Sequence, residues 1–211
     1  MTPGCPRCPA PVASVEGSGG TWSCPEHGSV SPLWRPREAT YDEFAAHLEL
    51  AAAFPTYLPW PLSPGWRLTD FGVVEGEATY TCVSGTSELD GPVDVIVVAE
   101  EPTTGLGARC AGTVHDDPGH ELGDGPPASK VRLDGQPVSL WPVSTSDAGT
   151  GTAPEWDRSV LAGEGGGRWL WMVMRPASAL LLLRDPWLLR DVSALGPALL
   201  DVPFGGPAPS W

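Results

Sequence analysis

Hydrophobic and polar residues follow one period in the early part of this chain and another after residue 66. Phe44, Leu48, Ala51 and Ala52 recur at helical spacing behind the capping box Thr40-x-x-Glu43. They predict a helix from residue 40 that ends ahead of Pro55. Four prolines between residues 55 and 64 interleave with Tyr57, Leu58, Trp60 and Leu62. X-Pro pairs favour extended backbone, so this stretch reads as a strap packed on a sheet. From Trp66 onward the period becomes two. Residues 67–75 and 77–83 form strands around Gly76, and the β-branched run 93–99 reads as a central strand. Residues 130–133 and 138–143 flank Asp134-Gly135, a strong hairpin signal. A second hairpin is predicted from 168–174 and 179–184 around Pro176-Ala177-Ser178, and residues 188–200 predict a closing helix before a Gly/Pro tail.

The strand at 168–174 is apolar on both faces, with Trp169, Trp171 and Val173 on one side and Leu170, Met172 and Met174 on the other. Such a strand belongs in the middle of a sheet, covered by a helix (40–54 or 188–200) on one face and by the strap carrying Trp60 and Trp66 on the other. Strands joined by turns, with one helix before and one after, give an α+β domain over residues 40–205 with a mostly antiparallel sheet. No repeat of 20–50 residues is visible.

A smaller module precedes it. Cys5, Cys8, Cys24 and His27 are spaced C-x2-C-x15-C-x2-H, two short turns each bringing two ligands to one metal. Three thiolates and an imidazole complete a tetrahedral zinc set, with no position left open for catalysis. The spacer suits a short hairpin, with arms at 12–15 and 21–23 and a turn at 17–20. A module this small buries too little surface to fold alone, so metal would supply most of its stability. Five cysteines and no export signal argue against a disulfide framework, and no β-α-β pattern accompanies the C-x-x-C as a redox site would require. Cys82, inside an alternating run, reads as a buried structural thiol.

Residues 5–28 resemble the zinc-ribbon family in knuckle spacing, in Pro6 and Pro25 after the first ligand of each knuckle, in Gly28 after the last ligand, and in Trp22 ahead of the second knuckle. Two positions depart from its pattern. Pro9 stands where a glycine is usual, and its missing N–H threatens the backbone hydrogen bonds to the Cys5 thiolate. His27 stands in place of the fourth cysteine. The resemblance implies a zinc ribbon over residues 1–35. The whole chain also looks like an uncharacterised bacterial family in which such a ribbon precedes an α+β domain. The residues that carry this likeness are the knuckles, the segment 58–66, Gly105-Leu106-Gly107-Ala108-Arg109 and Trp169-Leu170-Trp171. It implies an architecture and brings no activity.

Charge narrows the function classes. The chain of 211 residues carries 12 basic and 26 acidic side chains, a net charge of −14. Residues 1–40 are neutral, three against three, so the remainder carries the whole excess. Arg7, Arg35 and Arg37 make a thin basic face beside an acidic body, which argues against nucleic acid and anionic membranes. No stretch has the length and apolarity of a membrane span, and the N-terminus lacks secretory features, so a cytoplasmic protein is expected.

Residues 100–129 hold no periodic pattern. They contain His115, Asp116, Asp117, His120 and Glu121, which read first as a solvated acidic loop. Gly105-x-Gly107-x-x-Cys110 lacks the third glycine of a dinucleotide loop, no helix-forming stretch follows it, and no Walker motif or G-x-S-x-G elbow is present. Gly163–Gly167 reads as a flexible turn. The expectation is a zinc-stabilised, non-enzymatic protein that binds a partner protein through the ribbon and the acidic domain. The alternatives are a hydrolase or transferase using His115 or His120 as general base, or a small-ligand binder floored by Trp141, Trp169 and Trp171.

Overall fold

A computed structural model describes every residue of the chain apart from 16–20, 53, 114, 120, 121, 146–156, 196–200 and 210. The N-terminal segment opens with β1 (Thr2–Gly4), then β2 (Ala13–Ser14), β3 (Trp22–Cys24), β4 (Gly28–Val30) and β5 (Leu33–Arg35). Helix α1 (Tyr41–Ala51) follows, then β6 (Tyr57–Pro59), β7 (Arg67–Val74), β8 (Ala78–Ser87) and β9 (Gly91–Glu100). After α2 (Leu106–Ala111) come β10 (Ser129–Leu133), β11 (Gln136–Pro142), β12 (Ser159–Gly165) and β13 (Arg168–Arg175). A 3₁₀ helix at Ala177–Arg184 leads into β14 (Leu188–Asp191).

Eleven strands form one sheet in the order β1-β5-β7-β8-β9-β13-β12-β11-β10-β14-β6, and β2-β3-β4 form a separate small one. Among the named strands only the β10–β14 pairing is parallel, and an isolated parallel bridge joins Leu68 to Phe204. The large sheet curls on itself: the hydroxyls of Thr79 and Thr81 on β8 donate to the carbonyls of Pro55 and Tyr57, bringing β6 back over the middle of the sheet. The concave face holds one apolar cluster, with Leu170, Met172 and Met174 of β13 against Phe44 of α1, Leu58 of β6 and Leu183 of the 3₁₀ helix. The outer face holds the other, where Trp171 and Val173 meet Tyr80, Ile96 and the apolar side of α2.

The 168–175 strand is central as its two apolar faces require, lying between β9 and β12. Its covers differ from expectation. Helix α1 and the strap with Trp60 and Trp66 both pack on the concave cluster, and α2 covers the Trp171 face. A bulge at Thr69 explains how β7 serves both faces: it directs Leu68 and Phe71 inward while Asp70 stands opposite Cys82 on the outer face. Cys82 is fully buried, and burial first of all pushes its thiol up to about 12.

Four segments adopt other structure than their local pattern predicts. Residues 179–184 are a 3₁₀ helix, because both edges of β13 are already taken and the Ala/Leu run behind Pro176 tolerates helical turns. Residues 188–191 are strand β14, since the main chains of β10 and β6 flank them; 196–200 lie outside the described residues. Ser159–Gly165, read in part as a flexible turn, pairs along all seven residues with β13, and only Gly166 and Gly167 turn. Residues 33–35, which carry no strand signal of their own, form β5 between β1 and β7.

Candidate metal centre

Cys5 and Cys8 sit on the turn after β1, Cys24 ends β3, and His27 lies on the turn between β3 and β4. The structure brings these four residues together: one ligand atom from each lies within 4.8 Å of all the others, and the three cysteines are buried. Cys8 Sγ and Cys24 Sγ are 3.6 Å apart, and His27 Nδ1 lies 3.6 Å from both Cys5 Sγ and Cys24 Sγ. A tetrahedral zinc with Zn–S near 2.3 Å and Zn–N near 2.0 Å sets S···S at about 3.8 Å and S···N at about 3.5 Å. The donor set and its spacing fit zinc. The spacer arms form β2 and β3 as predicted, and the turn at 17–20 lies outside the described residues.

Backbone N–H groups support the thiolates in spite of Pro9. The Arg7 N–H donates to Cys5 Sγ at 3.4 Å. Burial opposes ionisation of Cys24, yet the N–H groups of Glu26 and His27 and the His27 ring bring its thiol down to about 6. Burial raises Cys8 to about 12, with the neighbouring Cys24 and Cys5 thiols adding to it against the Ala10 N–H. A metal binding here must displace that proton, so uptake strengthens with pH.

The module is fastened to the sheet by two arginines. Arg7 donates to the carbonyls of Thr104 (3.3 Å) and Thr103 (2.5 Å) and pairs with Asp116 at 3.5 Å. Arg109, on α2, donates to the carbonyl of Cys5. Its guanidinium lies 4.8 Å from the Trp211 ring centroid, and Arg35 lies 4.7 Å from the same ring. Arg35 is held by Asp70 at 2.6 and 3.1 Å, and Asp70 also accepts from Tyr80. Two of the three arginines of the supposed basic face are therefore turned inward.

Helix α2 contradicts the expectation that no helix follows Gly105. Its N-terminal N–H groups, on Leu106 and Gly107, are capped by the buried carboxylate of Glu100 at 2.8 and 3.1 Å. The other oxygen of Glu100 accepts from Trp171 Nε1 at 2.6 Å. Burial pushes this carboxyl up to about 7 against those three donors. Gly107 is required: a Cβ there would lie 2.2 Å from the Trp171 ring. The cap comes from the end of the preceding strand, six and seven residues upstream, and not from a side chain at the N-cap position Gly105, which is why propensity misses it. The one signal in the sequence is an acid ending an apolar strand just before a glycine turn.

Among the described residues, no other candidate joins the cluster. His115 is exposed, while His120 and Glu121 lie outside the described residues. Asp116 pairs with Arg7, and Asp117 accepts from the Thr103 N–H and from Trp169 Nε1. Trp171 is enclosed, and Trp141 Nε1 donates to the Gly125 carbonyl, so the three tryptophans do not form a common open floor.

A model for a family of unknown function, DUF6758, matches residues 1–211. The chain belongs to that family. The match spans the cysteine cluster and the sheet together, and no zinc-ribbon family is identified. No curated protein and no solved structure matches the chain. No helix among the described residues is long and apolar enough to cross a membrane.

Proposed function

We propose that Cys5, Cys8, Cys24 and His27 hold one structural zinc ion, and that this DUF6758 member is a non-enzymatic cytoplasmic protein whose ribbon and acidic body bind a partner protein. The observation that carries the reading is the cluster of three sulfurs and one nitrogen, four ligand atoms within 4.8 Å of one another. When bound, the ion cross-links two knuckles that have almost no core of their own. Arg7 and Arg109 then hold the knuckles against α2, fixing one rigid face of ribbon and sheet edge. The five unpaired cysteines fit a reducing compartment. The inward use of Arg7 and Arg35 favours a protein partner over nucleic acid. The enzymatic alternative has less support, since the acids nearest His115 are engaged in structural bonds.

Elemental analysis of protein purified without added metal should give about one zinc per chain, lost in Cys5→Ser and Cys24→Ser. Full metal retained in both variants overturns the site. For the partner, in-cell cross-linking with parent and Cys24→Ser chains should yield a protein that binds only the parent when both components are purified. A purified turnover activity that depends on His115 and survives Cys24→Ser would replace this reading with the enzymatic one.

A further inference from the structure

A cleft of about 730 Å³ lies where the ribbon meets the sheet, with Trp22 and Val30 on the ribbon side and Trp34, Glu75 and Glu77 on the sheet side. A second groove of about 620 Å³ shares Trp34 and runs past Asp42, Glu43 and Glu49 of α1. We propose that this paired cleft receives an extended peptide segment carrying arginine or lysine. The proposal rests on the partner-binding reading and names the partner's chemistry.

Three features converge on that occupant. Trp22 and Trp34 are half-buried and meet edge to face, with ring centroids 5.6 Å apart. Aromatic walls of this kind take the stems of long cationic side chains and attract their charged heads. The second feature is charge. Five carboxylates line the two grooves, and the side-chain cation among the lining residues, Arg7, is matched by Asp116 and spent on the Thr103 and Thr104 carbonyls. The Met1 amine is matched by Glu43 at 3.4 Å. A cationic segment therefore relieves like-charge repulsion, and an acidic one adds to it.

The third is main-chain geometry. β4 is the outermost strand of the small sheet, paired with β3 alone among the described residues, and its Ser29 and Val30 line the cleft. Its outer edge has no strand partner among the described residues, which makes it the edge for an added strand. An extended segment thus gains backbone pairing on β4 and side-chain recognition from Trp22, Trp34, Glu75 and Glu77. Because one wall belongs to the ribbon, its shape depends on the knuckles being folded.

The test uses the full chain and fluorescence anisotropy of a labelled peptide of about nine residues alternating arginine and valine, with glutamate replacing arginine in the control peptide. The arginine peptide is expected to bind and the glutamate peptide not. Glu75→Lys with Glu77→Lys should weaken binding about ten-fold or more, as should Trp34→Ala. Glu88→Lys with Asp185→Lys, an equal charge change at exposed positions outside the cleft, should stay within about two-fold. Equal weakening by both charge reversals, or no preference between peptides, overturns the proposal. Free arginine amide competing as strongly as the peptide overturns the peptide assignment in favour of a small cation. Zinc measured on the same samples separates the two readings. A zinc-bearing chain without peptide preference loses only the cleft, and a metal-free chain that still discriminates at Glu75 and Glu77 loses only the zinc site.

Discussion

Replacing Trp171 by alanine asks whether the outer face of the sheet is a closed core or an open binding surface. The side chain is fully buried, its Nε1–H donates to Glu100 at 2.6 Å, and α2 rests against its ring at Gly107. Truncating a buried aromatic to alanine costs about 3–5 kcal/mol. Loss of a hydrogen bond to a charged group adds about 1.5–3 kcal/mol, and here it leaves a buried carboxylate short of one donor. The sum, about 4.5–8 kcal/mol, is comparable to the whole stability of an ordinary domain, about 5–15 kcal/mol. Trp171→Ala is therefore expected to leave little folded protein at room temperature. Trp171→Phe keeps most of the ring volume and loses the hydrogen bond, so it should fold with a deficit of about 2–3 kcal/mol. Urea unfolding followed by circular dichroism measures both. Zinc content should fall alongside, because α2 carries Arg109 onto Cys5. A Trp171→Ala chain within about 1 kcal/mol of the parent refutes the closed core. If that chain also failed to capture its partner, the face would be a functional surface.

Three further outcomes are expected. His27→Ala should weaken zinc affinity while His27→Cys restores it, as read by chelator competition; parent-like affinity in His27→Ala places the fourth ligand elsewhere. Burial holds the imidazole of His47 down to about 3, against 6.5 when free. The unfolded chain takes up that proton first, so stability is complete above pH 6.5 and falls by up to about 1.4 kcal/mol per pH unit as pH drops toward 3. His47→Phe, packed like the parent ring against Phe44 and Phe71, should flatten urea midpoints across that range, and an unchanged slope removes His47 as the cause. Arg109→Met loses the bond to Cys5 and the contact with Trp211, about 1–2 kcal/mol, and should speed hydrogen exchange in the first knuckle without touching that of β8 and β9.

Local chemistry by itself determined the parts of this protein whose physics is local. The C-x2-C and C-x2-H turns need only two residues between ligands to aim both donors at one point, and they are assembled as their spacing requires. The capping box at Thr40 starts α1 through a bond three residues long, Glu43 N–H to Thr40 Oγ1 at 3.3 Å. Alternation along 168–174 separates Trp171 from Met172 in the two clusters because a strand has only two faces. Tertiary structure decided the rest. Helix α2 is held by a carboxylate at the end of the preceding strand that Trp171, 71 residues away, keeps in place, and residues 188–191 extend because β10 and β6 offer main-chain partners on both sides. The bond from Arg109 to Cys5 joins residues more than a hundred positions apart, and the cleft beside it exists only once ribbon and sheet edge face each other. Propensity and periodicity act over a few residues, whereas caps, strand edges and clefts are supplied by whatever the fold carries alongside.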